Sequence, residues 1–187
     1  MNIINTDLLF ESDVLKGKSI EHSERVLGDL KGIFRDEEVR IKMEQSELIY
    51  EVDCHFPVAD GTSGGLFFGI TKIYPGKVGD EYFMTKGHFH SQSDRGEYYW
   101  GIKGEGVLIL MDKGRRTWGE RMCPGSLHYI PAHVAHRVAN IGDETLSFGA
   151  CWPSDAGHNY EEIAEKGFSA RLIDDKGNPL LISEQQA

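Results

Sequence analysis

The chain has 187 residues, of which 40% are hydrophobic and 27% charged, as expected for one ordinary globular domain. A formal net charge of −10 argues against a nucleic-acid surface and means that any anionic ligand must be held by local donors against the overall field. Three widely spaced cysteines, Cys54, Cys123 and Cys151, form no disulfide framework and predict a reduced, cytoplasmic setting. The acid-bearing first residues do not read as a signal peptide, and the apolar run 107–111 is far too short to cross a membrane.

Taken in order, residues 1–18 show no clear period and read as an arm that could pack on a partner subunit. Ser19 to Phe34 carries apolar side chains at 20, 27, 30, 33 and 34, which predicts a short helix interrupted by Gly28. From Glu37 the period changes to two, and 38–44, 48–56 and 65–74 are expected to be strands, with a Gly-, Pro- and Ser-rich loop over 56–65. Residues 75–80 read as a turn and 81–90 as a further strand. Short strand-like runs then follow closely as far as Trp152. Many short strands with frequent turns predict a sandwich or barrel, and no internal repeat suggests a tandem pair. Residues 153–167 change character and predict a short helix, capped at Asp155 or Asn159 and closed by Gly167. A strand over 168–174 and a tail with an edge strand and a frayed end complete the chain. The expected organisation is one domain over 1–187. It comprises an arm and short helix (1–36), a core barrel (37–152), and a short helix with closing strands (153–187).

Chemistry concentrates between Gly87 and Asn140. His88 and His90, two residues apart, would project to one side of a strand, and Glu97 follows seven residues after His90. Downstream, His136 stands in the frame Gly125, Pro131, His136, Asn140. Three neutral imidazoles and one carboxylate suit a divalent transition metal, with two positions of an octahedron left open. His-x-His alone is unspecific. The spacing His-x-His-x6-Glu-x6-Gly followed by Gly-x5-Pro-x4-His-x3-Asn is far more specific, and these two motifs resemble the paired motifs of the cupin superfamily. The chain departs from them at Tyr82, where a glycine usually precedes the first histidine, at His133, which replaces the second motif's inner glycine, and in a longer loop before Glu97.

Several phrases are more specific still: FGITKIYPGKVGDEYFMTKGHFH, EYYWGIKGEG, IPAHVAHRVANIGDE and PSDAGHNYEEIAEKGFS. Together they resemble the cupin-type phosphoglucose isomerases over roughly residues 65–173, and RVLGDLKGIFRD at 25–36 is similar as well. The resemblance implies an all-β, single jelly-roll cupin barrel, a homodimer, and interconversion of glucose 6-phosphate and fructose 6-phosphate. It also implies one divalent transition metal per subunit without fixing which; Fe2+ is expected first, with Zn2+, Mn2+ and Ni2+ as alternatives. By position, His88, His90, Glu97 and His136 match the family's metal ligands, and Thr71, Thr85, Gly87, Tyr99, His158 and Tyr160 match positions near its bound sugar phosphate. Trp152 stands where a tyrosine is expected.

Under this reading Glu97 is both ligand and base, or the metal assists a hydride shift instead; His158 serves ring opening or proton relay. Thr71, Thr85 and the Gly87 N–H would hold the phosphate. Tyr99 and Tyr160 would line the sugar site. Alternation points Lys86 away from Thr85 and Gly87, so it is expected to be a solvated charge. His133 is read as a turn residue, His128 as an outer-face or rim residue, and the cysteines as small buried apolar groups. Two other functions share the fold and ligand set: a non-haem iron dioxygenase and a non-catalytic sugar-binding cupin. The phosphate-facing residues and the DAGHNY segment argue against the dioxygenase.

Overall fold

In the computed structural model, which describes residues 2–184, the chain begins with a hairpin, β1 (Leu8–Glu11) and β2 (Val14–Gly17), where no element was expected. β3 (Ile20–Val26) follows and leads into a 3-10 turn, Leu27–Leu30, so the helix predicted over 19–34 does not form. The physical reason lies in the spacing. Leu27 and Leu30 are both buried, and a three-residue interval fits the three residues per turn of a 3-10 helix. β3 is an edge strand with a largely exposed surface, so it carries no alternating apolar signature to betray it.

The expected strand at 38–44 is instead a helix, α1 (Glu37–Lys42). Asp36 caps it by accepting the Val39 N–H at 2.9 Å, two glutamates occupy its first turn, and Arg40 grips Glu37 through Nε and Nη2 at 2.8 and 2.6 Å. Six residues of alternating polarity satisfy either period, and the cap decides between them.

β4 (Leu48–His55) and β5 (Leu66–Ile73) match expectation. Beyond the short strands β6 (Lys77–Val78) and β7 (Glu81–Tyr82), the segment to His90 is irregular and does not form the predicted strand. Its backbone is held by bridges from Met84 to Ala139, His88 to His136 and Phe89 to Asn159. β8 (Glu97–Lys103), β9 (Gly106–Met111), β10 (Thr117–Met122), β11 (Leu127–Ile130), β12 (Ala135–Asn140) and β13 (Leu146–Pro153) form the rest of the body. A short helix, α2 (Glu161–Lys166), ends at Gly167 as expected, and Asn159 Oδ1 accepts the Glu161 N–H at 3.0 Å. β14 (Ala170–Asp175) and β15 (Asn178–Ser183) close the described chain; the frayed end expected beyond them lies largely outside the described residues.

The strands pair antiparallel throughout. The main sheet has the order β11-β8-β13-β5-β4-β3, a second has β10-β9-β12, and a third has β15-β14-β7-β6. One apolar cluster, running from Leu27 to Leu172, joins them through side chains such as Ile73, Phe83, Leu108, Leu110, Val138 and Phe148. This is the all-β jelly-roll class expected, with its sheets bonded separately rather than closed into one continuous ladder. Tyr50, Val52, Cys54 and Phe56 alternate along β4 and its end to line a cavity of about 520 Å³, which Thr71 of β5 and Tyr99 of β8 also enter.

Candidate active site

The two sequence motifs meet through one backbone bridge. His88 N–H donates to the His136 carbonyl at 3.2 Å, and His136 N–H donates to the His88 carbonyl at 3.1 Å. Their rings lie 4.4 Å apart, with His90 5.8 Å from His88 and 5.3 Å from His136 between centroids. Each of the three histidines offers a nitrogen within 4.8 Å of the others. Glu97, at the start of β8, completes the group: Oε2 is 2.9 Å from His90 Nε2, and Oε1 is 3.5 Å from His136 Nε2. All four predicted ligands are therefore together, and His88, Glu97 and His136 face the cavity.

The polar atoms here lack ordinary partners. His88 Nε2, His136 Nε2 and Glu97 Oε1 are buried without a hydrogen bond, a costly condition unless something else binds them. His136 Nδ1 faces the Val134 carbonyl at 3.4 Å, and His90 Nδ1 faces the Arg95 carbonyl at 2.9 Å, so each Nδ1 must carry the proton. In neutral His90 that leaves a lone pair on Nε2 aimed at a carboxylate oxygen. Two acceptors at this distance repel unless a proton or a cation lies between them. The donor set, its tautomers and its orphaned atoms thus fit a divalent metal.

The titration behaviour agrees. Burial drives His136 down to about 4, although the Glu97 charge acts in the opposite direction, and burial with the neighbouring His136 holds His88 well below the ordinary histidine value. Burial is the largest single influence on His90 and lowers it, but the bond to Glu97, the Glu97 charge and the Arg95 carbonyl together outweigh it and the net shift is upward. Glu97 is lowered because His136 and His90 together overcome a burial effect that would raise it. The bare site therefore presents two neutral imidazoles and an ionised carboxylate at neutral pH.

The remaining predicted residues also converge. The His158 ring lies 4.4 Å from His88 and stacks with Tyr160 at 5.8 Å and 14°. Burial lowers the His158 pKa. Tyr99 points inward beside Glu97, while Tyr98 between them is exposed. Thr71 and Thr85 line the same cavity, and the Thr85 Oγ1 accepts the Val138 N–H at 3.1 Å. Gly87 adopts φ +77°, and a Cβ there would lie 2.9 Å from Phe168 and 3.0 Å from Arg137; glycine is required by conformation and by space.

Some expectations need correction. Lys86 is half-buried on the cavity wall beside Thr85 and Gly87 rather than fully solvated, in a segment that is not a regular strand. Arg25 and Lys31 line the cavity too, placements that a helical reading of residues 19–34 does not reveal. His128 is buried rather than at a rim, held by Glu120 at 2.8 Å and Ser126 Oγ at 2.9 Å. The cysteines are half-buried, and burial pushes the Cys54 thiol up to about 12. His133 is indeed in a turn, at φ +65°. Trp152, in place of the expected tyrosine, packs edge-on against Phe67 at 5.9 Å and lies 6.5 Å from His158.

The sequence profile described as Glucose-6-phosphate isomerase (GPI) matches residues 24–185. The chain belongs to the glucose-6-phosphate isomerase family. The glucose-6-phosphate isomerase of Thermococcus litoralis is 42% identical over 170 residues, covering 90% of this chain and 87% of that protein. That of Pyrococcus horikoshii is 44% identical over 171 residues, covering 90% and 88%. A putative glucose-6-phosphate isomerase 1 of Rhizobium meliloti is 39% identical over 151 residues, covering 79% and 70%. Among solved structures, an oxalate decarboxylase from Bacillus subtilis matches with a TM-score of 0.46 and 19% identity over 59% of this chain and 26% of its own, too distant a likeness to bear on the site. Family membership makes the chain an enzyme, an aldose–ketose isomerase, and displaces the dioxygenase and non-catalytic readings.

Proposed function

We propose that the chain is a metal-dependent isomerase that interconverts glucose 6-phosphate and fructose 6-phosphate. The observation that carries the metal dependence is the convergence of three buried, partnerless atoms, His88 Nε2, His136 Nε2 and Glu97 Oε1, beside His90. His88, His90, Glu97 and His136 are the ligands, with Fe2+ as the first choice and Zn2+, Mn2+ or Ni2+ as alternatives. When bound, such a metal supplies Lewis-acid polarisation of the sugar's carbonyl and hydroxyl oxygens.

The protein side chains do the rest. Thr71, Thr85 and the Gly87 N–H hold the phosphate, and Tyr99 and Tyr160 orient the sugar so that C1 and C2 lie at the metal end of the cavity. Glu97, ionised in the site, takes the C2 proton of the open-chain aldose and returns it to C1. His158, its proton affinity lowered by burial, is neutral at the working pH and passes a proton between O1 and O2. One proton moves between carbons and one between oxygens, so no net acid or base is consumed. The assembly is a cytoplasmic homodimer of single-domain subunits. Exposed Tyr98 and Tyr129, paired across β8 and β11 beside exposed Leu127, support a subunit contact on that face.

The test is turnover of fructose 6-phosphate in a coupled assay after chelation and metal add-back. Activity should vanish with the metal and return with it; full activity in metal-free protein would refute the metal dependence. In deuterated water, label should enter the carbon skeleton. Label-free product would transfer the hydrogen movement from Glu97 to a direct hydride shift.

A further inference from the structure

Two segments far apart in sequence form one wall of the site. The loop between His90 and Glu97 lies against the stretch from Asp155 to Tyr160. Phe89 and Asn159 exchange backbone hydrogen bonds of 3.1 and 2.8 Å, and the Gln92 N–H donates to the Ala156 carbonyl at 2.9 Å. Gly157, at φ +58°, turns the chain between Asp155 and His158.

Arg95 touches both sides of this junction. Its backbone carbonyl accepts the His90 Nδ1–H at 2.9 Å, which fixes the tautomer of a candidate metal ligand. Its guanidinium donates through Nε to Asp155 Oδ1 at 2.9 Å and through Nη2 to Asp155 Oδ2 at 2.8 Å, a two-pronged grip. An isolated surface ion pair contributes little to stability. This one is part-buried and joins the His90 loop to a residue three positions before His158. His158 in turn sits 4.4 Å from His88 and stacks on Tyr160.

We propose that Arg95 and Asp155 are positioning residues, a latch that holds His158 and Tyr160 in register with the histidine cluster. Neither touches the reacting atoms. Because His90 uses the backbone carbonyl of Arg95, removing the side chain should loosen the His158 segment while leaving His90 oriented. Metal retention and catalytic geometry are therefore separable. The kinetic part of this inference rests on the isomerase reading; the structural part does not.

The experiment uses the full-length, metal-loaded protein with Arg95→Ala, Arg95→Lys, Asp155→Asn and the double variant Arg95→Ala/Asp155→Asn. Three quantities are read: kcat and KM for fructose 6-phosphate, metal per subunit, and amide hydrogen exchange over 89–92 and 156–160. A displacement of His158 of about 1 Å should lower kcat by roughly tenfold to a hundredfold, with KM changed less than about threefold. Metal per subunit should stay at the wild-type level. The double variant should be no worse than the poorer single variant, since both changes break the Arg95–Asp155 contact and Arg95→Ala alone also frees Asp94, and Arg95→Lys should recover part of the loss. Exchange should quicken in the two segments and not in β9 or β12. Multiplying losses in the double variant, or metal lost in step with activity, would overturn the latch. Unchanged exchange would overturn it whatever the kinetics. Wild-type protein that fails to turn over fructose 6-phosphate while Arg95→Ala still quickens exchange would leave the latch standing and remove the isomerase reading instead.

Discussion

Thr85 and Thr71 line the same cavity, yet their hydroxyls are used differently, and replacing each by valine separates binding from stability. Thr85 Oγ1 accepts the Val138 N–H at 3.1 Å, so its proton remains free to donate to a ligand. The Thr71 hydroxyl has no hydrogen-bond partner among the described residues and faces the cavity alone. Thr85→Val therefore removes a ligand contact and also strands a backbone N–H in the body of the fold. Leaving such a donor unpaired costs about 1–3 kcal/mol. For a protein of this length that corresponds to a fall in Tm of roughly 2–12 °C. Thr71→Val should leave Tm within about 1–2 °C, because no internal bond is lost. Either change removes one neutral hydrogen bond to a charged phosphate, about 1.5–3 kcal/mol, or roughly tenfold to a hundredfold in kcat/KM for fructose 6-phosphate. Metal content should not change in either. The assays are thermal unfolding of the metal-loaded protein and coupled turnover, with Thr85→Ser as the control that keeps both bonds. Equal Tm values for the two valine variants would refute the assigned double use of Thr85. Unaltered kcat/KM in both would refute the phosphate end of the cavity.

Glu97→Gln should lower kcat by at least about a hundredfold and weaken metal binding, since it removes the proposed base and a ligand charge together; a variant with wild-type kcat would exclude Glu97 as the base. Metal-free protein should lose stability as the pH falls from 6.5 to about 4, because the unfolded chain takes up the His136 proton over that range while the fold does not. His90, shifted upward, contributes in a separate window above 6.5, where its stabilisation is lost as the pH rises through its folded value. Comparing Tm against pH with His136→Gln isolates the first effect, and identical curves would contradict the burial-driven shift. Gly87→Ala should destabilise by roughly 2–5 kcal/mol, combining left-handed strain with overpacking against Phe168 and Arg137; a loss below about 0.5 kcal/mol would show that the segment relaxes freely. Fructose should be turned over far more slowly than its 6-phosphate, and equal rates would count against the phosphate contacts.

The candidate site was more legible than the elements that carry it. His88, His90, Glu97 and His136 were readable because ligand chemistry demands particular side chains at particular spacings, whatever the backbone does between them. The inward Glu97 and Tyr99 with outward Tyr98 follow from strand alternation alone, as does the cavity-lining set on β4. His88 and His136 reach each other through a two-residue bridge rather than along a regular strand, and no local pattern encodes such a bridge. Lys86 shows the limit of alternation: it lies in an irregular segment beside a left-handed glycine, where a rule that assumes a flat strand does not apply.

What the amino-acid order determined by itself was local or chemical: the run of short strands, the stop at Gly167, the charge balance, and a set of candidate ligands whose residue types tolerate few alternative uses. What tertiary structure decided was the identity of 20–26 as strand, the placing of Arg25, Lys31 and Lys86 on the cavity wall, and the meeting of Arg95 with Asp155. The physical reason is common to all of these. A window of six or seven residues can satisfy a helical and an extended period almost equally well, and an edge strand buries too little to show a period at all. The balance is then tipped by partners brought from a distance, such as β4 lying alongside β3, which no local reading of residues 20–26 contains.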